Sequence, residues 1–277
     1  MPDGDSAAPV RTGPAPTPTF MDTSELDLTG RLAVVTGAGR GIGRAVAVEL
    51  ARAGARLALV ARSADQLAEV RDELAAAGAV AEAYSADLAD IATVAELGAR
   101  IERDLGPAGV LINNAGVVGP IGPTDRLSVA DVEQSFRVNA IAPMLLTAAF
   151  LESMRKAGWG RIVNVSTGVV AHPTALARGN TYVAAKSALE AHSLNLAAEL
   201  AGTGVTVSVY RPGRVDTAMQ GWIRDQDPDT VGGGLVERFA EWHRSGELIT
   251  PAHSARALVS RLGDTETGRI LDVADAA

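Results

Sequence analysis

The stretch Arg31-Leu-Ala-Val-Val-Thr36, followed by Gly37-Ala-Gly-Arg-Gly41-Ile-Gly43, decides the fold. The first six residues are an apolar run with β-branched members and read as a buried strand. The glycines form a turn, and Arg44 to Ala53 is helix-like up to Gly54. Strand, glycine turn and helix, in that order, set backbone N–H groups and a helix N-terminus against a phosphate. Residue 42 is Ile, so Gly37, Gly41 and Gly43 fit Gly-x-x-x-Gly-x-Gly rather than the common Gly-x-Gly-x-x-Gly fingerprint.

Outward from this turn, strands and helices alternate. Arg56 to Ala61, Val80 to Ser85, Val110 to Ile112, Arg161 to Val165, Val205 to Tyr210 and Arg269 to Val273 read as further strands. Helices are expected at 64–77 with Ser63 as cap, at 91–105, from Ser128 through Lys156, at 181–201 and at 252–262. Residues 218–248 read as irregular. Nearly all-apolar strands between helices imply a parallel sheet covered on both faces. The expected fold is α/β: a doubly wound, Rossmann-like sheet of about seven strands in a single domain. Ligands of such sheets lie at the carboxyl ends of the strands. The glycine turn, Arg62, Asp87, Asn113, Ser166, Thr167, Pro212 and Gly213 all follow strand ends and share that edge.

Composition narrows the chemistry. The 277 residues are 47% hydrophobic and 21% charged, which suits one large core. A net charge of −8 disfavours nucleic acid and anionic membranes as partners. With no cysteine there is neither a disulfide framework nor a thiolate metal site, and the four histidines lack metal-binding helical spacing, so no metal is expected. No apolar run spans a membrane without charge or glycine. Residues 1–25, rich in Pro, Ala, Thr and Gly, lack the apolar block of a secretory signal and read as a disordered extension before a catalytic domain at 26–277. A cytoplasmic location is expected.

Tyr182-Val-Ala-Ala-Lys186 places a phenol and an ammonium one helical turn apart on one face. A phenol's ordinary pKa near 10 makes it a weak acid at neutrality, and a neighbouring positive charge would lower it. Such a pair suits general acid catalysis.

Taken in order, Thr36 to Gly43, Asn113-Asn-Ala-Gly116, Asn139, Tyr182 with Lys186, and Pro212-Gly-Arg-Val-Asp-Thr217 resemble the motifs of the short-chain dehydrogenase/reductase family from about residue 28 onward. The resemblance implies that Tyr182 protonates a carbonyl oxygen while a nicotinamide delivers hydride to the carbon. Lys186 would bind the nicotinamide ribose and lower the Tyr182 pKa, and Asn139 would interrupt its helix to hold a proton-relaying water. The family's catalytic serine aligns with Thr167, and Ser166 precedes it. Strand alternation points these neighbours to opposite faces and favours Thr167, with Ser166 as the alternative. The segment from Thr167 to Tyr182 is about two residues longer than usual.

The resemblance further implies cofactor contacts from Gly37, Arg40, Gly41, Ile42, Gly43, Asp87, Leu88, Asn113, Ala115, Gly116, Tyr182, Lys186, Pro212, Gly213, Val215 and Thr217. An acidic residue after the second strand would repel a 2′-phosphate. Here Ala61 and Arg62 stand there, and Arg40 lies in the glycine turn, so NADP(H) is expected. Residues 218–248 match the family's substrate lid, with Gly232-Gly-Gly234 as a hinge and Trp222, Phe239 and Trp242 as apolar walls. A bulky or aromatic ketone is the expected small-molecule carbonyl or alcohol substrate. A 3-oxoacyl-thioester reductase and a non-catalytic dinucleotide sensor are the alternatives, and the resemblance implies a homodimer or homotetramer.

Overall fold

The computed structural model describes residues 26–276, so the extension expected at 1–25 lies outside the described residues. Seven strands are present: β1 (Leu32–Thr36), β2 (Arg56–Ala61), β3 (Ala81–Ser85), β4 (Ala108–Asn113), β5 (Gly160–Val165), β6 (Val205–Arg211) and β7 (Arg269–Asp272). They form one parallel sheet in the order β3-β2-β1-β4-β5-β6-β7. The order reverses beside β1, and that switch point sets the ligand edge.

Alternation along β1 shows how the sheet is covered. Ala33 and Val35 face one apolar layer with α1 (Gly41–Arg52), α2 (Ala64–Ala76) and α10 (Pro251–Val259). Leu32 and Val34 face the other, with α3 (Ile91–Leu105), α5 (Ala142–Lys156) and α6 (Asn180–Glu199). Leu50 on the first side and Phe150 on the second are fully buried. Each such side chain contributes about 1.5–3 kcal/mol on leaving water.

Local chemistry sets the helix ends. Ser63 accepts from Gln66 N, and Thr250 accepts from His253 N ahead of Pro251 in the first turn. Ser128 and Asp131 form a reciprocal capping box at α4 (Val129–Phe136). Among the described residues no helix is long and apolar enough to cross a membrane.

Two expected elements differ. The helix from Ser128 to Lys156 is broken into α4, a π turn over Arg137–Ile141 and α5. The segment at 218–248 is helical rather than irregular, containing α7 (Ala218–Arg224), α8 (Pro228–Val231) and α9 (Gly233–Arg244). Its hinge narrows to Gly232, at φ 96°, because Gly233 and Gly234 already belong to α9.

Candidate active site

Three consecutive residues at the end of β5 meet three successive turns of α6. The Thr167 hydroxyl faces the Tyr182 phenol and favours its ionised form. Lys186 Nζ donates to the Val165 carbonyl at 2.7 Å, and Ser166 Oγ donates to Glu190 Oε1 at 2.7 Å. Tyr182, Lys186 and Glu190 recur every four residues, so one helical face presents all three to the strand end. From β6, Arg211 grips Glu190 with two bonds, Nε to Oε1 at 3.0 Å and Nη2 to Oε2 at 2.7 Å. Sequence reasoning missed Glu190 and Arg211. Their signals were a carboxylate four residues past Lys186 and a cation immediately before Pro212.

Both members of the Tyr–Lys pair are buried. Burial pushes the Tyr182 pKa up to about 12, eased downward by Thr167 rather than by Lys186. Burial also brings Lys186 down to about 8, against the opposing pull of Glu190. Desolvation, which disfavours both charged forms, sets the direction of both shifts, and Lys186 is not among the causes acting on the phenol. Tyr182 stays protonated at neutral pH, the state a proton donor needs.

Asn139 lies in the π turn, whose wider ring closes from Ala142 N to Arg137 O. π turns are frequent at functional sites. The Asn139 amide clips the loop after β4: Oδ1 accepts from Val117 N at 3.1 Å, and Nδ2 donates to Val117 O at 2.8 Å and to Ser135 Oγ at 3.3 Å. Its side chain is thus committed to the loop after β4 and to Ser135, with both Nδ2 hydrogens used. A Cβ on Gly116 would lie 3.0 Å from Asn139 Oδ1 and 3.7 Å from Lys186 Nζ, so this glycine keeps the floor between them open. Asn113 ends β4. Its side chain turns into the core and donates to Asn164 Oδ1 at 2.8 Å, which leaves only its main chain on the cofactor edge.

The glycine turn has the geometry of an anion cradle. Thr36 Oγ1 accepts from Asn114 N and Ala115 N, both at 3.0 Å, and locks β1 to the end of β4. Gly43 packs so closely that an added Cβ would stand 2.2 Å from Gly37 O. No side chain caps the first turn of α1, so its N–H groups are available to an anion. Ile42 packs against the core, and Thr217 lies across Gly41, 3.5 Å from where its Cβ would be. Arg40 and Arg62 are exposed, and neither has an acidic partner among the described residues. Asp87 is exposed and uses a carboxylate oxygen on Ala89 N at 3.0 Å, while Leu88 beside it is buried. Pro212 and Val215 are buried, and Gly213, at φ 76°, lies against Val273. These residues fit a dinucleotide, with a cationic rim where a 2′-phosphate would lie.

Over the site, Tyr182 belongs to an apolar cluster with Val118, Leu176, Ile223, Val231, Leu235 and Phe239. Helices α7, α8 and α9 thus contribute to the same apolar cluster as Tyr182. Phe239 packs on Trp242 with ring centres 4.8 Å apart. Trp222 is a rim residue, 40% exposed, laid against Gly119. The long loop after β5 is fastened to the lid in both directions. Arg178 donates to Asp229 O and Thr230 O, and Arg238 donates back to Ala175 O.

Known proteins resemble this chain in sequence and fold. The short chain dehydrogenase family profile matches residues 31–228. A 2,3-dihydro-2,3-dihydroxybenzoate dehydrogenase of Bacillus subtilis (strain 168) is 34% identical over 235 residues, 84% of this chain and 88% of that protein. Ketoacyl reductase HetN of Nostoc sp. (strain PCC 7120) is 37% identical over 246 residues, 88% and 79% of the two chains. A blue fluorescent protein from a metagenomic library, solved with NADPH, superposes with a TM-score of 0.77 at 31% identity, covering 89% of this chain and 97% of the other. Fold, strand-edge chemistry and likeness agree, and the chain belongs to the short-chain dehydrogenase/reductase family of oxidoreductases.

Proposed function

We propose that the protein interconverts a carbonyl and a secondary alcohol with NADP(H), acting on a bulky or aromatic ketone. The observation that carries this reading is the Thr167–Tyr182 hydroxyl pair beneath an apolar lid. Gly37, Gly41, Gly43 and the first turn of α1 would hold the pyrophosphate. Arg40 and Arg62 would hold the 2′-phosphate. Asp87, Leu88, Ala115, Gly116 and the main chain of Asn113 would line the adenosine, and Pro212 to Thr217 the carboxamide. When bound, the nicotinamide supplies or accepts the hydride.

The chain's own residues handle the proton and the oxygen. Thr167 and Tyr182 converge on one point, where a carbonyl oxygen would accept from both as negative charge develops. Tyr182 gives up its proton there. Lys186, beside the phenol and Gly116, opposes the charge left behind and would meet the ribose, and the main chain at Asn139 would seat a water. The lid keeps solvent out, which strengthens each of these interactions.

A panel of aryl ketones, diketones and the matching alcohols, assayed with both cofactors in both redox states, tests the proposal. Turnover that prefers NADPH and is abolished in Tyr182→Phe is expected; tight NADPH binding without turnover on any carbonyl would sink it. The likeness to a ketoacyl reductase favours 3-oxoacyl thioesters as a second reading. Against it, Arg244 on the lid is neutralised by Glu237 and Glu241, which weakens any basic surface for an acidic carrier. A carrier-linked oxoacyl substrate added to the panel separates the two. Val129, Val132, Ile141 and Leu194 are exposed apolar residues on α4, the π turn and α6, and they support a homodimer or homotetramer.

A further inference from the structure

Glu190 takes no part in the proton transfer just described, yet it is 5% exposed and fully engaged. A buried carboxylate is costly unless paired. Here one oxygen accepts from Ser166 Oγ and Arg211 Nε, and the other from Arg211 Nη2. Each partner comes from a different strand end. Ser166 lies between Val165, whose carbonyl holds Lys186, and Thr167, which faces Tyr182. Arg211 is the last residue before the Pro212–Thr217 segment. Ser166 N also bonds Tyr210 O at 2.7 Å, closing the loop between the two strands. One carboxylate therefore joins the catalytic helix, the strand end with the reacting hydroxyl and the strand end leading to the carboxamide segment.

We propose that Glu190, clamped by Ser166 and Arg211, is a positioning residue that holds Lys186 in register with Thr167 and keeps its ammonium charged. This rests on the reading of Tyr182 and Lys186 as the catalytic pair. The charge acts through one helical turn, and among the described residues it is the side-chain charge that opposes the burial of Lys186. The other groups around Lys186 are accounted for. Tyr182 is on its own helix, and Arg211 on β6 is ion-paired on the far side of Glu190, with Asp272 of β7 also acting on it, so Glu190 is the nearer charge to Lys186. The Glu133–Arg137 pair on the α4 side is exposed and self-compensated. At this end of β4 and β5, Asn113, Asn164, Ser166 and Thr167 are neutral.

The test is the pH profile of kcat/KM for ketone reduction in Glu190→Gln, with Lys186→Met alongside and NADPH affinity measured separately. Reduction needs the charged ammonium, so activity falls as Lys186 loses its proton. Glu190→Gln is expected to move that alkaline limb down by about one pH unit. It should lower kcat about tenfold, while NADPH affinity stays within about threefold. Should the single variant fail to fold, Glu190→Gln/Arg211→Gln leaves no unpaired charge and is expected to move the limb in the same direction. An unmoved limb in a folded variant overturns the proposal, because a purely structural clamp would lower stability or rate without changing the midpoint. If Lys186→Met keeps its activity, the underlying pair is wrong and this inference falls with it. If Lys186→Met is inactive while the limb stays put, only the role given to Glu190 fails.

Discussion

Ser166 Oγ donates to Glu190 at 2.7 Å and is thereby turned away from Tyr182, whose hydroxyl partner is the next residue, Thr167. Two adjacent hydroxyls at one strand end thus have separate tasks, as alternation along an extended chain requires. Thr167→Val keeps the shape and removes the donor to the developing oxyanion. Its kcat should fall about 10²-fold or more. Ser166→Ala removes one tether of Glu190 and should stay within about tenfold of the parent. Steady-state kinetics of the two variants checks this, and the reverse ranking would make Ser166 the catalytic hydroxyl.

Lys186 should destabilise the fold that uses it. Its folded pKa, about 8, lies below the ordinary 10.5, so between these values the unfolded chain holds more protons. Stability then rises with pH through that window, by up to about 3 kcal/mol, and the cost is fully present below pH 8. Tyr182 has the opposite sign: its folded pKa, about 12, exceeds the ordinary 10, so it lowers stability only above pH 10. Lys186→Met should therefore be more stable than the parent at pH 7, by about 1–2 kcal/mol after the unsatisfied Val165 carbonyl is counted. That advantage should shrink between pH 8 and 10. Denaturant midpoints at pH 7, 8.5 and 10 give the comparison, and a constant gap would count against a buried, strained ammonium.

Much of this was legible in the chain because it is written locally. The run at 31–36 alternates between two apolar layers, and the glycines after it sit where helix α1 crowds Gly37 O. What escaped depends on contacts between distant residues. The interruption at Asn139 was implied by the resemblance, but its form as a π turn and its bond to Val117, 22 residues earlier, leave no trace in the local periodicity. The lid looked irregular because α7 and α8 have only seven and four residues, too short for a period to show. Glu190 had the right helical spacing, but Arg211 reaches it only after α6 turns back into β6. Asn113 read as a cofactor residue because it ends β4, and only the partner strand's Asn164 reveals that its side chain faces inward.

Cofactor choice should rest on two unpaired guanidinium groups. Arg40 and Arg62 flank the position where β2 ends without a carboxylate. Arg62→Asp would exchange attraction for repulsion at a 2′-phosphate and supply an acceptor for a ribose diol. The ratio of kcat/KM for NADPH over NADH should drop about 10²-fold, and Arg40→Ala should lower it by about tenfold. Because both groups are exposed, raising ionic strength should increase the KM for NADPH more than that for NADH. An unchanged ratio in Arg62→Asp would remove the argument for NADP(H).

A reciprocal pair of arginines joins the loop after β5 to the helices at 218–248, and if those helices act as a lid this gives a kinetic prediction. Arg178 on the long loop donates to Asp229 O at 3.1 Å and Thr230 O at 2.7 Å, and Arg238 on α9 donates to Ala175 O. Arg178 does so at φ 67°, a conformation that costs a side-chain-bearing residue about 1 kcal/mol. The contact that keeps it there must exceed this strain. Arg178→Ala retains the strain and loses the contact, whereas Arg178→Gly loses both. Arg178→Ala should therefore lower stability more than Arg178→Gly, by about 1 kcal/mol, although both release the lid equally. Released, the lid covers Tyr182 less often, so KM for the ketone should rise about fivefold or more in both variants, and proteolysis within 218–248 should quicken. The NADPH KM should change little, since Arg178 bonds the segment at 229–230 and not the glycine turn. Equal KM values for ketone in parent and variants would mean that the loop and lid move independently of this contact.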